Sequence, residues 1–108
     1  MYMNRFMRMI VLFDLPVQTK NQRHDAAAFR HFLLKDGYQM LPFSVYTRVC
    51  NGTDAVHKHR QRLQAHLPRN GAVRLLVITE KQYASMEILL GRLSPADQPF
   101  SAGQLTVI

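Results

Sequence analysis

One cysteine in 108 residues, no tryptophan, and only seven acids mark what this sequence does without. The single thiol, Cys50, excludes an internal disulfide framework and a paired-cysteine zinc site. The five histidines, His24, His31, His57, His59 and His66, form no HExxH and no zinc-finger spacing, so they read as helix-surface residues. No apolar run approaches the roughly eighteen residues that a bilayer span needs. Asp14 and Pro16 interrupt the N-terminal apolar stretch, so no signal-peptide core is expected. The expected setting is cytoplasmic, with the thiol reduced and no membrane contact. Neither a glycine-rich phosphate loop nor a GxSxG context is present, and Ser44 has no local histidine partner.

What is abundant is positive charge. Fourteen Lys and Arg stand against the seven acids, a formal charge of +7. That bias points first to nucleic acid and second to an acidic surface. With 47% hydrophobic and 19% charged residues, the chain is neither a disordered tail nor a fibrous repeat. A domain of this length buries roughly two-thirds of its unfolded surface, enough for one modest core.

The pattern predicts a strand over Met7 to Asp14, stopped by Leu15-Pro16. Thr19 to Asp36 has helical spacing, with Ala26, Phe29, Phe32 and Leu33 on one face and Gly37 as the left-handed terminator. Tyr38 to Leu41 and Phe43 to Cys50 read as strands broken near Pro42, and Asn51-Gly52 as a turn. Asp54 is the expected cap of a second helix reaching about His66, with Val56, His59 or Arg60, Leu63 and Leu67 inward. Ala72 to Thr79 is a further strand, and Thr79 caps a short helix through Met86. Ser94 to Pro99 reads as a loop and Phe100 to Ile108 as a last short strand.

This order, β-α-β-β-α-β, predicts an α+β, ferredoxin-like split βαβ sandwich with an extra C-terminal strand. Residues 1–93 would form the domain, and 94–108 a loop and short strand that serve as a docking segment. In the first strand Met7, Met9, Val11 and Phe13 point one way, and Arg8, Ile10, Leu12 and Asp14 the other. Both sets are largely apolar, yet two helices cover one face. A second subunit is the economical cover for the other, and a folded-back C-terminal segment is the alternative. In a dimer, Arg8 and Arg74 should find acidic or carbonyl partners near the interface rim.

Asp14 is the most informative acid, because a strand end holds a side chain rigidly while leaving it open to solvent. It serves either as a cap for the Leu-Pro turn or as a ligand. The other acids form no evident carboxylate cluster, which a Mg²⁺-dependent phosphodiesterase normally uses. Cys50 reads as a packed strand residue. Basic residues are spread over the helices (Lys20, Arg23, Arg30, Lys58, Arg60, Arg62, with Arg69 after them) and the strands (Arg8, Arg48, Arg74). Such a spread suits tracking of phosphates rather than reading of bases, the alternative being a solvated basic surface. Arg23, Arg30, Lys58 and Arg62 are the candidate nucleic-acid contacts. The aromatic signature of an RNA-recognition motif is absent.

Four blocks together resemble the CRISPR-associated protein two family. They are Val11-Leu12-Phe13-Asp14-Leu15-Pro16, Leu33-Leu34-Lys35-Asp36-Gly37-Tyr38-Gln39-Met40-Leu41, Phe43-Ser44-Val45-Tyr46-Thr47-Arg48 and Thr79-Glu80-Lys81-Gln82-Tyr83. The resemblance implies a ferredoxin-like homodimer that bridges dimers of the CRISPR integrase and supports spacer DNA during adaptation. It also implies a Mg²⁺-dependent endonuclease on RNA or DNA, with Mn²⁺ as a substitute and Asp14 as catalytic metal ligand. Double-stranded DNA and single-stranded RNA are the implied nucleic-acid partners. The resemblance places Ser44 and Tyr46 near the dimer centre. Pro42 and Thr47-Arg48 stand where the family often carries a glutamine and a glutamate, leaving Asp14 as the one carboxylate that the family pattern supports. A stand-alone basic RNA-binding or regulatory module is the alternative function.

Overall fold

A computed structural model describes residues 6–42, 45–92 and 94–97. Strand β1 (Phe6–Asp14) lies between β3 (Val45–Asn51) and β4 (Ala72–Thr79), and β2 (Gln39–Leu41) flanks β3. The order β2-β3-β1-β4 is antiparallel throughout. Helices α1 (Lys20–Lys35) and α2 (Thr53–Ala65) each connect strands separated by one intervening strand, the ferredoxin-like arrangement. A short α3 (Glu80–Ala84) follows β4, and a single 3-10 turn spans Pro95–Asp97. No described helix is long and apolar enough to cross a membrane.

The sequence chemistry explains the ends of these elements. Thr19 and Gln22 form a reciprocal capping box at the start of α1, and Thr79 and Gln82 repeat it at α3. Helix α2 departs from expectation: its cap is Gly52, with no side-chain bond, and Asp54 sits inside the first turn. There the carboxylate faces the positive end of the helix dipole instead of capping it. Helix α3 stops at Ala84, two residues short of the expected Met86, because Ser85 takes up the cap position and bonds Gln82 O.

The core lies between the sheet and the α1/α2 layer. Met9, Val11, Ala26, Phe29, Leu33, Tyr46, Cys50, Val56 and Leu63 are buried there. Leu67, expected to point inward, lies beyond the end of α2 and is exposed. Phe13 meets Phe29 edge-on at 5.2 Å and stacks on Tyr46 at 5.4 Å.

The second face of the sheet is covered in part by the chain itself. Helix α3 packs against β1 and β4, and the 3-10 turn against β2. Tyr83 ties the two together by donating to Ala96 O at 2.7 Å. Under this cover Arg8, Ile10 and Thr47 are buried. On β1 it ends between Ile10 and Leu12, which is 40% exposed, and on β4 it stops short of Leu76, which pairs in register with Ile10 and is 51% exposed. Helix α3 and the 3-10 turn thus cover part of this face, and the C-terminal segment after Asp97 lies outside the described residues. The expected strand Phe100–Ile108 lies outside the described residues, as do Phe43 and Ser44 of the expected third strand.

Candidate functional site

Asp14 is the last residue of β1, paired in register with Ala72, and exposed. By alternation it shares a sheet face with Ile10 and Leu12, the face left open beyond α3. The chain turns immediately: Leu15 is buried and Pro16 half-buried. Gly71, at φ +104°, brings β4 in so closely that a Cβ there would stand 2.7 Å from Asp14 O and 2.8 Å from Leu15 Cδ2. This glycine fixes the backbone beneath the Asp14 carboxylate, a role its sequence context of Arg69-Asn70-Gly71 did not reveal.

Among the described residues, no three His, Cys, Asp or Glu side chains come together to hold a metal. Mg²⁺ needs near-octahedral oxygen coordination, usually from more than one protein or substrate oxygen plus water. Among the described residues Asp14 is a solitary carboxylate, which does not by itself make a complete divalent-ion site.

The candidate nucleic-acid residues are placed differently from one another. Lys58 is exposed on α2. Arg23 is exposed and donates through Nη1 to Val17 O and Gln18 O at 3.2 and 3.1 Å, bracing the entry to α1. Arg30 is half-buried, its guanidinium 5.6 Å from the centre of the Phe13 ring. Arg62 is held by a 2.7 Å bond from Nε to Asp36 Oδ1, with half of its side chain still exposed. Tyr46 is 3% exposed and stacks inside the protomer's own core, which leaves its ring no free face for a second copy. Ser44 lies outside the described residues.

Two strand arginines are turned inward. Arg8 forms a two-pronged bond to Glu80 of α3, the acidic partner expected of it. Arg48 donates to Asp36 O and to Val49 O beside Gly37, whose φ of +96° suits the turn. Arg74 is exposed. The basic exterior is thus carried by the helices and loops more than by the sheet.

A cluster that sequence reading missed lies where α1, β3 and α2 meet. The buried Asp36 carboxylate receives Arg62 Nε on Oδ1, and His59 Nδ1 lies 3.0 Å from Oδ2. His59 and Arg62 are three apart on α2, and this spacing was the available signal. Nothing in the sequence says that Asp36 closes the α1 end against them. Burial lowers the His59 imidazole below its ordinary range, against the raising effect of the Asp36 hydrogen bond.

The fold and these placements define a ferredoxin-like α+β protein with one solitary strand-end carboxylate and a basic helical exterior. Residues 7–86 match the family described as CRISPR associated protein Cas2. The chain is 52% identical over 101 residues to the CRISPR-associated endoribonuclease Cas2 of Acidovorax ebreus strain TPSY, covering 94% of this chain and 99% of that one. It is 44% identical over 88 residues to the protein of that name in Campylobacter jejuni, covering 82% of this chain and 62% of the other. The counterpart in Ligilactobacillus salivarius is 41% identical over 86 residues, with 80% and 85% coverage. The chain belongs to the Cas2 family of CRISPR-associated proteins.

Proposed function

We propose that this chain is a CRISPR adaptation protein: a homodimer that bridges dimers of the CRISPR integrase and supports spacer DNA. The observation that carries this reading is the half-covered sheet face. Leu12 and Leu76 are exposed there beyond the reach of α3, and a second copy covers such a patch economically. The exposed cations Arg23 and Lys58 support phosphate tracking on duplex DNA. Residues 94–108 are proposed to dock the integrase, by strand addition over 100–108. Deleting 100–108 should weaken integrase binding and spare the dimer. Unchanged integrase binding would refute the docking role.

Endonuclease activity is the second reading, favoured by the exposed Asp14 on that same face and by the endoribonuclease name of the relatives. Asp14 is the proposed catalytic carboxylate, and Mg²⁺ or Mn²⁺ the proposed cofactor. Its site would need Asp14 from both copies, since one copy supplies a single ligand. The substrates proposed are single-stranded RNA or duplex DNA, in the cytoplasm.

Asp14→Asn separates the two readings because it is nearly isosteric. The adaptor reading expects spacer integration to survive, with dimer and duplex binding intact, while metal-dependent cleavage is lost. Loss of integration with an assembled integrase complex would make the nuclease primary. Sedimentation equilibrium should give twice the chain mass at micromolar concentration, and a folded monomer there would overturn the dimer.

A further inference from the structure

The open part of the outer sheet face carries two charges of opposite sign, Asp14 at the end of β1 and Arg74 on β4. Asp14 pairs in register with Ala72, and Leu12 with Arg74. Alternation puts these four side chains on one face, as the corners of one square of the ladder. Asp14 and Arg74 stand on its diagonal, a separation of roughly 7–8 Å. Both are exposed, and neither side chain has a hydrogen bond or ion pair among the described residues.

The neighbours of this pair on the same face are apolar: Leu12 on β1, and Leu76 two residues beyond Arg74 on β4, both exposed. A second copy that covers the leucines also takes the two charges out of water. Each then needs an opposite charge, because a desolvated ion without a partner is costly. Two-fold symmetry supplies both partners from this chain alone, since in such an interface residue i meets residue j of the other copy and j meets i. When two sheets pack face to face, the two-fold axis lies in the plane between them. An axis along the other diagonal of the square, from Leu12 to Ala72, exchanges Asp14 with Arg74. It also sets Leu12 and the small Ala72 where the two copies meet themselves.

We propose that Asp14 and Arg74 pair reciprocally across a two-fold interface between copies of this chain, with one ion pair on each side of the axis. This rests on the homodimer reading, names the contacts that fix its register, and makes no use of the endonuclease reading. Leucines supply area but little orientation, since an apolar patch tolerates sliding. The charges supply orientation: a shifted docking buries four of them without partners, which disfavours every register but one. Asp14→Asn keeps an acceptor oxygen for the guanidinium and so spares the dimer, whereas reversal of the charge does not.

The test is charge reversal in the full-length chain, read by sedimentation equilibrium, with circular dichroism as the check on folding. Asp14→Arg alone and Arg74→Asp alone should each weaken the dimer about 100-fold or more. Mixed together, the two variants should form a heterodimer, because each then meets its opposite charge on the other chain. Within either variant the two positions carry like charges, so pairing inside one protomer cannot give this rescue. Both variants keep a net positive charge, so overall attraction cannot give it either. Arg74→Gln removes the charge without reversing it and should weaken the dimer about 10-fold or more, a readout that does not depend on how well the reversed chains fold. An undiminished dimer in Arg74→Gln or in either folded reversal, or a mixture of folded reversals that stays monomeric, would overturn the proposal while leaving the homodimer reading in place. A monomeric unaltered chain would remove both.

Discussion

Arg8 of β1 and Glu80 of α3 are joined by two short bonds, Nε to Oε1 at 2.7 Å and Nη2 to Oε2 at 2.6 Å, with both side chains 4% exposed. The Arg8 guanidinium also lies 4.0 Å from the centre of the Tyr83 ring. A buried strand arginine is thereby neutralised by the first residue of the helix that covers it. The pair sets where the cover sits and, with it, which half of the sheet remains open.

Breaking this pair from one side leaves a buried charge alone. Glu80→Gln is expected to lower stability by about 3–5 kcal/mol, whereas Arg8→Met combined with Glu80→Met should recover much of the loss. Urea unfolding of the three proteins, followed by circular dichroism, measures both quantities.

Gly71→Ala should cost about 1–3 kcal/mol, because φ is +104° and the added methyl meets the backbone of Asp14 rather than a flexible side chain. Gly52→Ala is the control for conformation alone: its φ is +92° with open space around it. A larger loss at Gly71 than at Gly52 in matched denaturation curves would isolate the contact. Metal-dependent cleavage should also fall with Gly71→Ala, through displacement of Asp14.

Duplex DNA affinity should fall linearly in log salt, with a slope of about −0.9 for each phosphate contacted. Lys58→Ala should make the slope shallower by about that amount, read by fluorescence anisotropy between low and moderate salt. An unaltered slope would remove Lys58 from the interface.

Stability should decline on mild acidification because of His59. Its folded-state pKa is lowered by burial, so as pH falls through the ordinary imidazole value near 6.5 the unfolded chain takes up a proton first. The contribution is complete above that pH and is lost progressively down to the lowered folded value. His59→Gln should flatten this part of a pH series of thermal melts.

Cys50 is buried, its Sγ 3.4 Å from Met9 Sδ, and burial raises its pKa. The thiol should resist a disulfide reagent in the native protein and react at once in denaturant. Prompt reaction under native conditions would contradict the core packing.

Local chemistry determined a large share of this structure. Strand β4 at Ala72–Thr79, the capping residues Thr19 and Thr79, and the terminating Gly37 follow from alternation, hydroxyl capping and backbone freedom, which operate within a few residues. The placement of Asp14 at the open end of β1 was legible for the same reason: the following Leu-Pro fixes where the strand stops. Tertiary structure decided what depends on residues distant in the chain. Arg8 and Arg48 have the composition of a phosphate-binding surface, yet partners 72 and 12 residues away turn them inward. Tyr46 fills the core because Phe13 and the helix layer cover its face. Asp36, His59 and Arg62 become one cluster only when the fold brings α2 to the end of α1, because side chains on separate helices acquire a common geometry through packing alone.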